Sequence, residues 1–286
     1  MNTRKNSNTK MLKVSLTHDV DRTVKTYQYF THTLRAIKKG ALRKAIYHMT
    51  SWSKRNQVYW NFEDIMEIED SFGIRSSFFF LIESFPFRLW QPKSWKLSLG
   101  RYKIDEPRIA EVIKKLDEGG WEVGLHGSWA SYNNLELLIK EKTKLDDILG
   151  KGVIGIRQHY LNMHGDTWLL QKQAGFLYDS TWGYTTRVGF KDNKIKPFAP
   201  FNDNFIVYPM AIMDSCYMGS NERKKLLIDL IEETIKNNAI LVINWHSNNY
   251  NTKDYPGYRD AYIDIIKTCI SYSAVFNTLS GFYYNK

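Results

Sequence analysis

Short, dense apolar runs bounded by turn residues recur along the chain and read as buried strands. They are Lys13 to Thr17, IRSSFFFLI (74–82), WEVGLH (121–126), GVIGIR (152–157), NFIVYPM (204–210) and AILVINWH (239–246), with a last short one from Ala274 to Phe276. Between them the apolar period lengthens to that of a helix. A helix near Phe62 to Ser71 ends before Gly73. Pro107 opens a helix whose stripe is Ile109, Val112, Ile113 and Leu116, closed by Gly119 and Gly120. Asn133 or Asn134 caps a helix carrying Leu135, Leu138, Leu145 and Ile148 or Leu149, stopped by Gly150. Residues 166 to 174, the stretch marked by Leu227, Leu230, Ile231 and Ile235, and residues near 258 to 271 complete the helices.

Strands that alternate with helices of ordinary length imply parallel pairing through crossovers, with both faces covered. A barrel or barrel-like sheet is favoured over an open one. Two stretches interrupt the alternation. Residues 23 to 57 are basic and helical in pattern without a strong single stripe, a helical insertion after the first strand. Residues 84 to 105 hold Phe, Trp, Tyr and Lys with two prolines and no clean period, an inserted aromatic loop placed to line a groove. Residues 1 to 10 read as a disordered tail, and 11 to 286 as a single domain.

Composition narrows the class. An apolar content of 43% supports a real core, and the aromatic surplus of 15% suits both packing and a cleft that stacks planar or sugar rings. The net charge of +10 favours anionic partners, but Lys and Arg read as scattered over amphipathic helices. No nucleic-acid-reading motif, P-loop or GxGxxG is present, so nucleic acid is not an expected partner. Cys216 and Cys269 have neither metal nor disulfide-framework spacing. The N-terminal stretch is polar and shows no apolar leader, and no run reaches transmembrane length. The expected location is cytoplasmic, with peripheral membrane contact through the basic surface compatible with that reading. The oligomeric state is not encoded legibly.

Ionisable residues gather where the strands end. The first strand delivers His18, Asp19 and Asp21; WEVGLH ends in His126; GVIGIR ends in Arg157, followed by His159; AILVINWH ends in His246. In parallel α/β barrels that face assembles the site. A lone His or Asp at a strand end is ordinarily a hydrogen-bonded or capping residue, and His32, His48 and His164, away from strand ends, read as surface or structural. A buried set of carboxylates, imidazoles and one guanidinium is costly unless paired or bound to a metal. The fitting chemistry is metal-assisted hydrolysis. A divalent ion lowers the pKa of its water to about 7 and polarises a carbonyl, a second carboxylate takes the water's proton, and an imidazole protonates the leaving group. The Asp-x-Asp spacing puts two carboxylates on one side of an extended backbone, with different tasks.

At these residues the chain resembles the polysaccharide deacetylase superfamily, the NodB-homology carbohydrate esterases, from about Lys13 to the last strand. THDVD is similar to the first motif, WEVGLHGS to the second, GIRQHY to the third, GFLYDST to a stretch that often follows it, and LVINWH to the last. The resemblance implies a distorted (β/α)7 barrel. It implies Asp19 as catalytic base, Asp21 and His126 as metal ligands, and Arg157 holding the Asp19 carboxylate. It also implies the Tyr160 backbone N–H at the oxyanion and His246 as general acid. The second motif usually carries another His four residues after the first; here that position is Ala130. His159, where the family has Pro, is therefore the expected third ligand. His18 is a candidate support for the metal site, and Asp214 for orienting His246.

The resulting expectation is a metal-dependent hydrolase that removes an N-acetyl group from a sugar or glycan, in a biosynthetic setting such as surface polysaccharide assembly. Zinc is the first choice of ion, with cobalt, nickel or manganese as alternatives. The Trp-rich insertion would shape the sugar cleft. The absent second-motif His leaves open a non-catalytic glycan-binding protein on the same barrel. Hydrolysis of a non-sugar amide shares the mechanism and also stays open.

Overall fold

A computed structural model of the chain describes residues 10 to 51 and 58 to 285. Residues 1 to 9 of the expected tail and residues 52 to 57, at the end of the first insertion, lie outside the described residues; Lys10 is described, and its ammonium donates to the Lys236 carbonyl at 2.6 Å. Strand β1 (Lys13–Val20) is the centre of the molecule. It pairs in parallel with β2 (Ser77–Leu81) on one side and β8 (Ile240–Asn244) on the other. Beyond β2 come β3 (Glu122–Gly127), β4 (Gly155–Gln158), β5 (Tyr178–Asp179) and β6 (Ile206–Val207). Beyond β8 comes β7 (Met210–Met213), and β9 (Val275–Phe276) pairs with β1. Every one of these pairings is parallel. The sheet curls until the segment after β5 meets β7, where the Met210 N–H donates to the Trp182 carbonyl at 2.8 Å. This is a distorted (β/α)7-type barrel.

Period-two alternation divides β1 between two environments. Val14, Leu16 and Val20 join the apolar layer under the helices, with Phe62 and Ile65 of α3 (Phe62–Ser71) and Ile265 and Ile266 of α10 (Tyr258–Ser271). Ser15, Thr17 and Asp19 alternate with them. The lower interior is filled by Phe79, Tyr178, Tyr208, Met210 and Val242. Gly155 makes room for this plug: a Cβ there would lie 2.1 Å from the Tyr178 ring. Above the plug the interior is polar.

The outer layer holds α5 (Pro107–Glu118), α6 (Leu135–Leu149), α7 (Thr167–Gln173) and α9 (Arg223–Asn237). Asn134 caps α6 by accepting the Leu137 N–H, and Gly150 ends it in the left-handed region.

Several boundaries differ from expectation. The first strand runs three residues past Thr17, because the neighbouring strand supplies partners as far as Val20. NFIVYPM is not one strand. It breaks at Tyr208–Pro209 into β6 and β7, which sit at opposite ends of the strand order. Proline cannot continue a central ladder, so the chain leaves one edge and joins the other. The 84–105 stretch is not all loop: Pro92 starts α4 (Pro92–Ser98). The first insertion folds as α1 (Gln28–Lys38) and α2 (Leu42–Thr50). The short helices α8 (Asp214–Gly219) and α11 (Leu279–Tyr284) carry too few apolar repeats to be visible as a pattern. No described helix is long and apolar enough to cross a membrane.

Candidate active site

The C-terminal ends of β1, β3, β4 and β8 bring Asp19, Asp21, His126, Arg157, His159 and His246 into one cluster. Asp19 sits inside the barrel. Its Oδ1 accepts from Arg157 Nη1 at 2.9 Å and its Oδ2 from Asn244 Nδ2 at 2.8 Å. Arg157 is wholly buried, and each of its three guanidinium nitrogens donates. Nη1 also donates to Thr17 Oγ1 and to Asn244 Oδ1, Nε donates to the Ser180 carbonyl and Nη2 to the Ser180 hydroxyl. Its guanidinium carbon lies 4.7 Å from the Phe79 ring centroid. Burial pushes the Asp19 carboxyl up, but Arg157, then His126 and His246, outweigh burial and hold it below the usual carboxylate range.

Asp21 Oδ1 stands 3.3 Å from His126 Nε2 and 3.7 Å from His159 Nε2. The tautomer of His126 follows from its neighbour: Nδ1 lies 2.9 Å from the Arg157 carbonyl, which can only accept. In the neutral ring Nε2 therefore presents a lone pair to a carboxylate oxygen that is buried and accepts no hydrogen bond among the described residues. Two facing acceptors need a cation between them, a proton or a metal. The spacing suits a metal, since two ligands at about 2.1 Å on a tetrahedral ion stand roughly 3.4 Å apart. All three ligand atoms of Asp21, His126 and His159 lie within 4.8 Å of one another, so the set fits a divalent ion. Burial pushes Asp21 up, yet His159, His126 and His246 hold it well below the usual range.

His246 is held from behind by Asp214, the first residue of α8. Its Nδ1 is 3.0 Å from Asp214 Oδ2, and its backbone N–H donates to the same oxygen at 2.8 Å. Nε2 points to the two aspartates, 4.0 Å from Asp19 Oδ2 and 3.9 Å from Asp21 Oδ2. Burial lowers the His246 pKa, but Asp214, then Asp21 and Asp19, raise it to about 10.

Tyr160 lies in the left-handed region at φ 59°, followed by Leu161 at φ 52°. Two consecutive non-glycine residues there cost backbone energy, a feature that clusters at functional sites. Beside Tyr160, α4 and Trp129 form a groove of about 350 Å³ lined by Pro92, Lys93, Lys96, Leu97, Trp129 and Tyr160. The tryptophan in it comes from the loop after β3. Those of the insertion lie elsewhere: Trp90 is 92% exposed, and Trp95 packs on Phe87.

His18 is not beside the candidate ligand set of Asp21, His126 and His159. Because β1 continues to Val20, His18 points opposite to Asp19, into the layer between sheet and helices. There Nδ1 meets the Trp245 carbonyl at 2.8 Å and Nε2 meets Glu69 at 2.9 Å. His48 is not a surface residue either. It is buried in a second cluster with His32 and Asp254, whose centre Lys25 occupies, with its ammonium 2.9 Å from His48 Nδ1 and 2.7 Å from Asp254 Oδ2. That position is already filled by a cation.

Two site residues escape sequence reading. Asn244 bridges Asp19 and Arg157; only its place at the end of β8 hinted at it. Glu83, buried just beyond β2, accepts the Phe85 and Trp129 N–H groups and stands 3.6 Å behind His159 Nδ1. Burial raises its pKa, but His159 and these N–H groups pull it below the usual value. It is the one acid at the end of the second strand, IRSSFFFLIE, and strand-end logic alone could have found it.

No family profile and no curated protein matches the sequence. Solved structures do match. One is a Mycobacterium smegmatis protein assigned as a polysaccharide deacetylase, with a TM-score of 0.58, 16% identity, and 98% of this chain and 91% of that one covered. A Pseudomonas aeruginosa PAO1 protein with the same assignment has a TM-score of 0.59 at 14% identity, over 96% and 90% of the two chains. PuuE allantoinase has a TM-score of 0.59 at 14% identity, over 97% and 91%. At such identities the likeness speaks for the fold. The chain thus shares the fold of these solved structures, two of which are assigned as polysaccharide deacetylases.

Proposed function

We propose that the protein is a metal-dependent hydrolase that removes the acetyl group from an N-acetylated sugar or glycan. The observation that carries this reading is the orphaned Asp21 Oδ1 facing two histidines, with the Arg157-held Asp19 alongside.

In this reading Asp21, His126 and His159 hold the divalent ion, zinc being the first choice. When bound, that ion supplies Lewis acidity to the attacking water and to the acetyl carbonyl. Asp19 takes the proton of the water; Arg157 and Asn244 keep it ionised and aimed. The Tyr160 backbone N–H, in a residue of left-handed conformation, helps neutralise charge on the carbonyl oxygen as the carbon becomes tetrahedral. His246, kept protonated by Asp214, delivers a proton to the departing amine as the C–N bond breaks. Acetate and a free amino sugar result. Glu83 steadies the His159 ring, the usual task of a carboxylate behind a metal-binding imidazole. The groove beside Tyr160 offers Trp129 as a face for a sugar ring. A cytoplasmic role in trimming acetyl groups during glycan assembly is part of the proposal.

The test is acetate release from N-acetylated sugars and lipid-linked glycans by zinc-loaded protein, next to Asp19→Asn. Release by the wild type and not by Asp19→Asn supports the reading. Stoichiometric glycan binding with no ion and no acetate would replace it with a binding protein. Activity confined to non-sugar amides would keep the mechanism and change the substrate.

A further inference from the structure

Helices α1 and α2 are amphipathic in the wrong sense for a packed pair. On α1, Phe30, Leu34 and Ile37 recur at i, i+4 and i+7, and all are exposed; on α2, Leu42, Ile46 and Met49 repeat the same spacing and exposure. Phe30 is 68% exposed and Leu42 69%. The residues turned inward are small or polar: Thr33 and Ala36 on α1, Ala45 and His48 on α2. The large apolar side chains face away from the protein although buried positions on the same helices hold alanines. Scattered single hydrophobics are normal on a surface, but two helical stripes in succession are not.

The charge around these stripes points to the occupant. Although Lys and Arg read as scattered, acids are missing from one stretch: between Asp21 and Glu63 the sequence has nine Lys and Arg and no Asp or Glu. Arg35, Lys38, Lys39, Arg43 and Lys44 are exposed on these helices or their turn. On a helical projection Lys38 and Arg43 flank the apolar stripes, while Arg35 and Lys44 lie further round the helices and none of the cations falls within a stripe. An apolar face flanked by cations and free of carboxylates is the pattern that lies in the headgroup layer of an anionic bilayer. A second copy of the chain suits it poorly, because an isologous contact would set the same carboxylate-free surface against itself.

We infer that the α1–α2 hairpin is a docking surface for an anionic membrane. The hairpin is pinned to the barrel mouth, since Lys25 just before α1 pairs with Asp254 in the loop that follows His246. Docking therefore brings the mouth alongside the headgroups. The inference does not depend on the hydrolase reading.

The experiment is co-sedimentation of the full chain with vesicles of phosphatidylcholine alone or mixed with phosphatidylglycerol, together with the mass of the free protein by light scattering. Arg43→Glu/Lys44→Glu removes charge at the start of α2, where acids suit the helix dipole and folding is spared. Phe30→Gln/Ile46→Gln removes apolar surface from exposed positions. Expected is binding to the anionic vesicles that weakens at least about tenfold in the charge variant, at roughly one kcal/mol per cation, and likewise falls in the apolar variant. No binding to anionic vesicles, or binding that neither variant changes, would overturn the inference. So would a dimer in solution that Phe30→Gln/Ile46→Gln dissolves.

Discussion

Asp21 Oδ1 lies 3.3 Å from His126 Nε2, although Asp21 directly follows β1 and His126 belongs to β3, with β2 between these strands. The contact joins two acceptors across the barrel mouth, and its consequence is measurable as metal. Wild-type protein is expected to hold one divalent ion by elemental analysis. Asp21→Ala and His126→Ala should lose it. His159→Ala should lose it too, and full retention there would rule out His159 as the third ligand. Glu83→Gln should weaken the ion about 10- to 100-fold, the usual cost of removing a carboxylate behind a metal-binding histidine.

Arg157 has no exposure and Asp19 almost none, so breaking their pair leaves a carboxylate stranded in the barrel. Arg157→Met is expected to cost about 3–5 kcal/mol in denaturant unfolding. Asp19→Asn keeps the shape but sets an amide donor against Arg157 or Asn244 and removes the counter-charge of Arg157, so it too should destabilise the fold, while abolishing hydrolysis. The folded pKa of Asp19 is depressed, so its contribution to stability is present above the ordinary carboxylate value of 3.8 and is lost as pH falls through the lower folded value. An acid-side stability profile that is the same in wild type and Asp19→Asn would contradict this.

Asp214 raises the pKa of His246, to about 10 in all. Because that value lies above 6.5, the pair contributes stability that is fully present below pH 6.5 and is lost as pH climbs through about 10. In metal-free protein, Asp214→Asn should flatten this alkaline decline. In loaded enzyme the same substitution should move the alkaline limb of the rate profile toward neutrality, since the acid loses its proton earlier. An unmoved limb would remove His246 from the role of proton donor.

Lys25 fills the second cluster of His48, His32 and Asp254, and Tyr59 also donates to Asp254, at 2.8 Å. Lys25→Met should leave that carboxylate without its cation and loosen the hairpin. Limited proteolysis within residues 28 to 50 should quicken in this variant, and thermal stability should fall. Unchanged cleavage and melting would show that the ammonium does not anchor the insertion.

Much of this molecule is legible from local pattern. Parallel strands buried on both faces read as dense apolar runs, which makes β2, β3, β4 and β8 visible in the chain, whereas β1 shows as Val14 and Leu16 alternating with Ser15 and Thr17. The residues that end them, Asp19, Asp21, His126, Arg157 and His246, stand out because ionisable groups are rare at the end of such runs. What stays hidden depends on partners far apart in sequence. Nothing local says that β1 continues to Val20; β2 decides it by pairing, and that extension turns His18 away from the site. Nothing local separates β6 from β7, because both are short and apolar, and only curvature of the sheet assigns them to opposite ends.

The sequence by itself determined the kinds of chemistry, the strands that carry them and a barrel-like order, since these rest on periodicity and on the cost of burying charge. Tertiary structure alone decided which groups meet: Asn244 between Asp19 and Arg157, Glu83 behind His159, Lys25 in place of a second ion, and apolar stripes on α1 and α2 turned outward. Hydrogen bonds and ion pairs act over a few ångströms in space, and positions 229 residues apart, such as Lys25 and Asp254, reach that distance only after the sheet has curled.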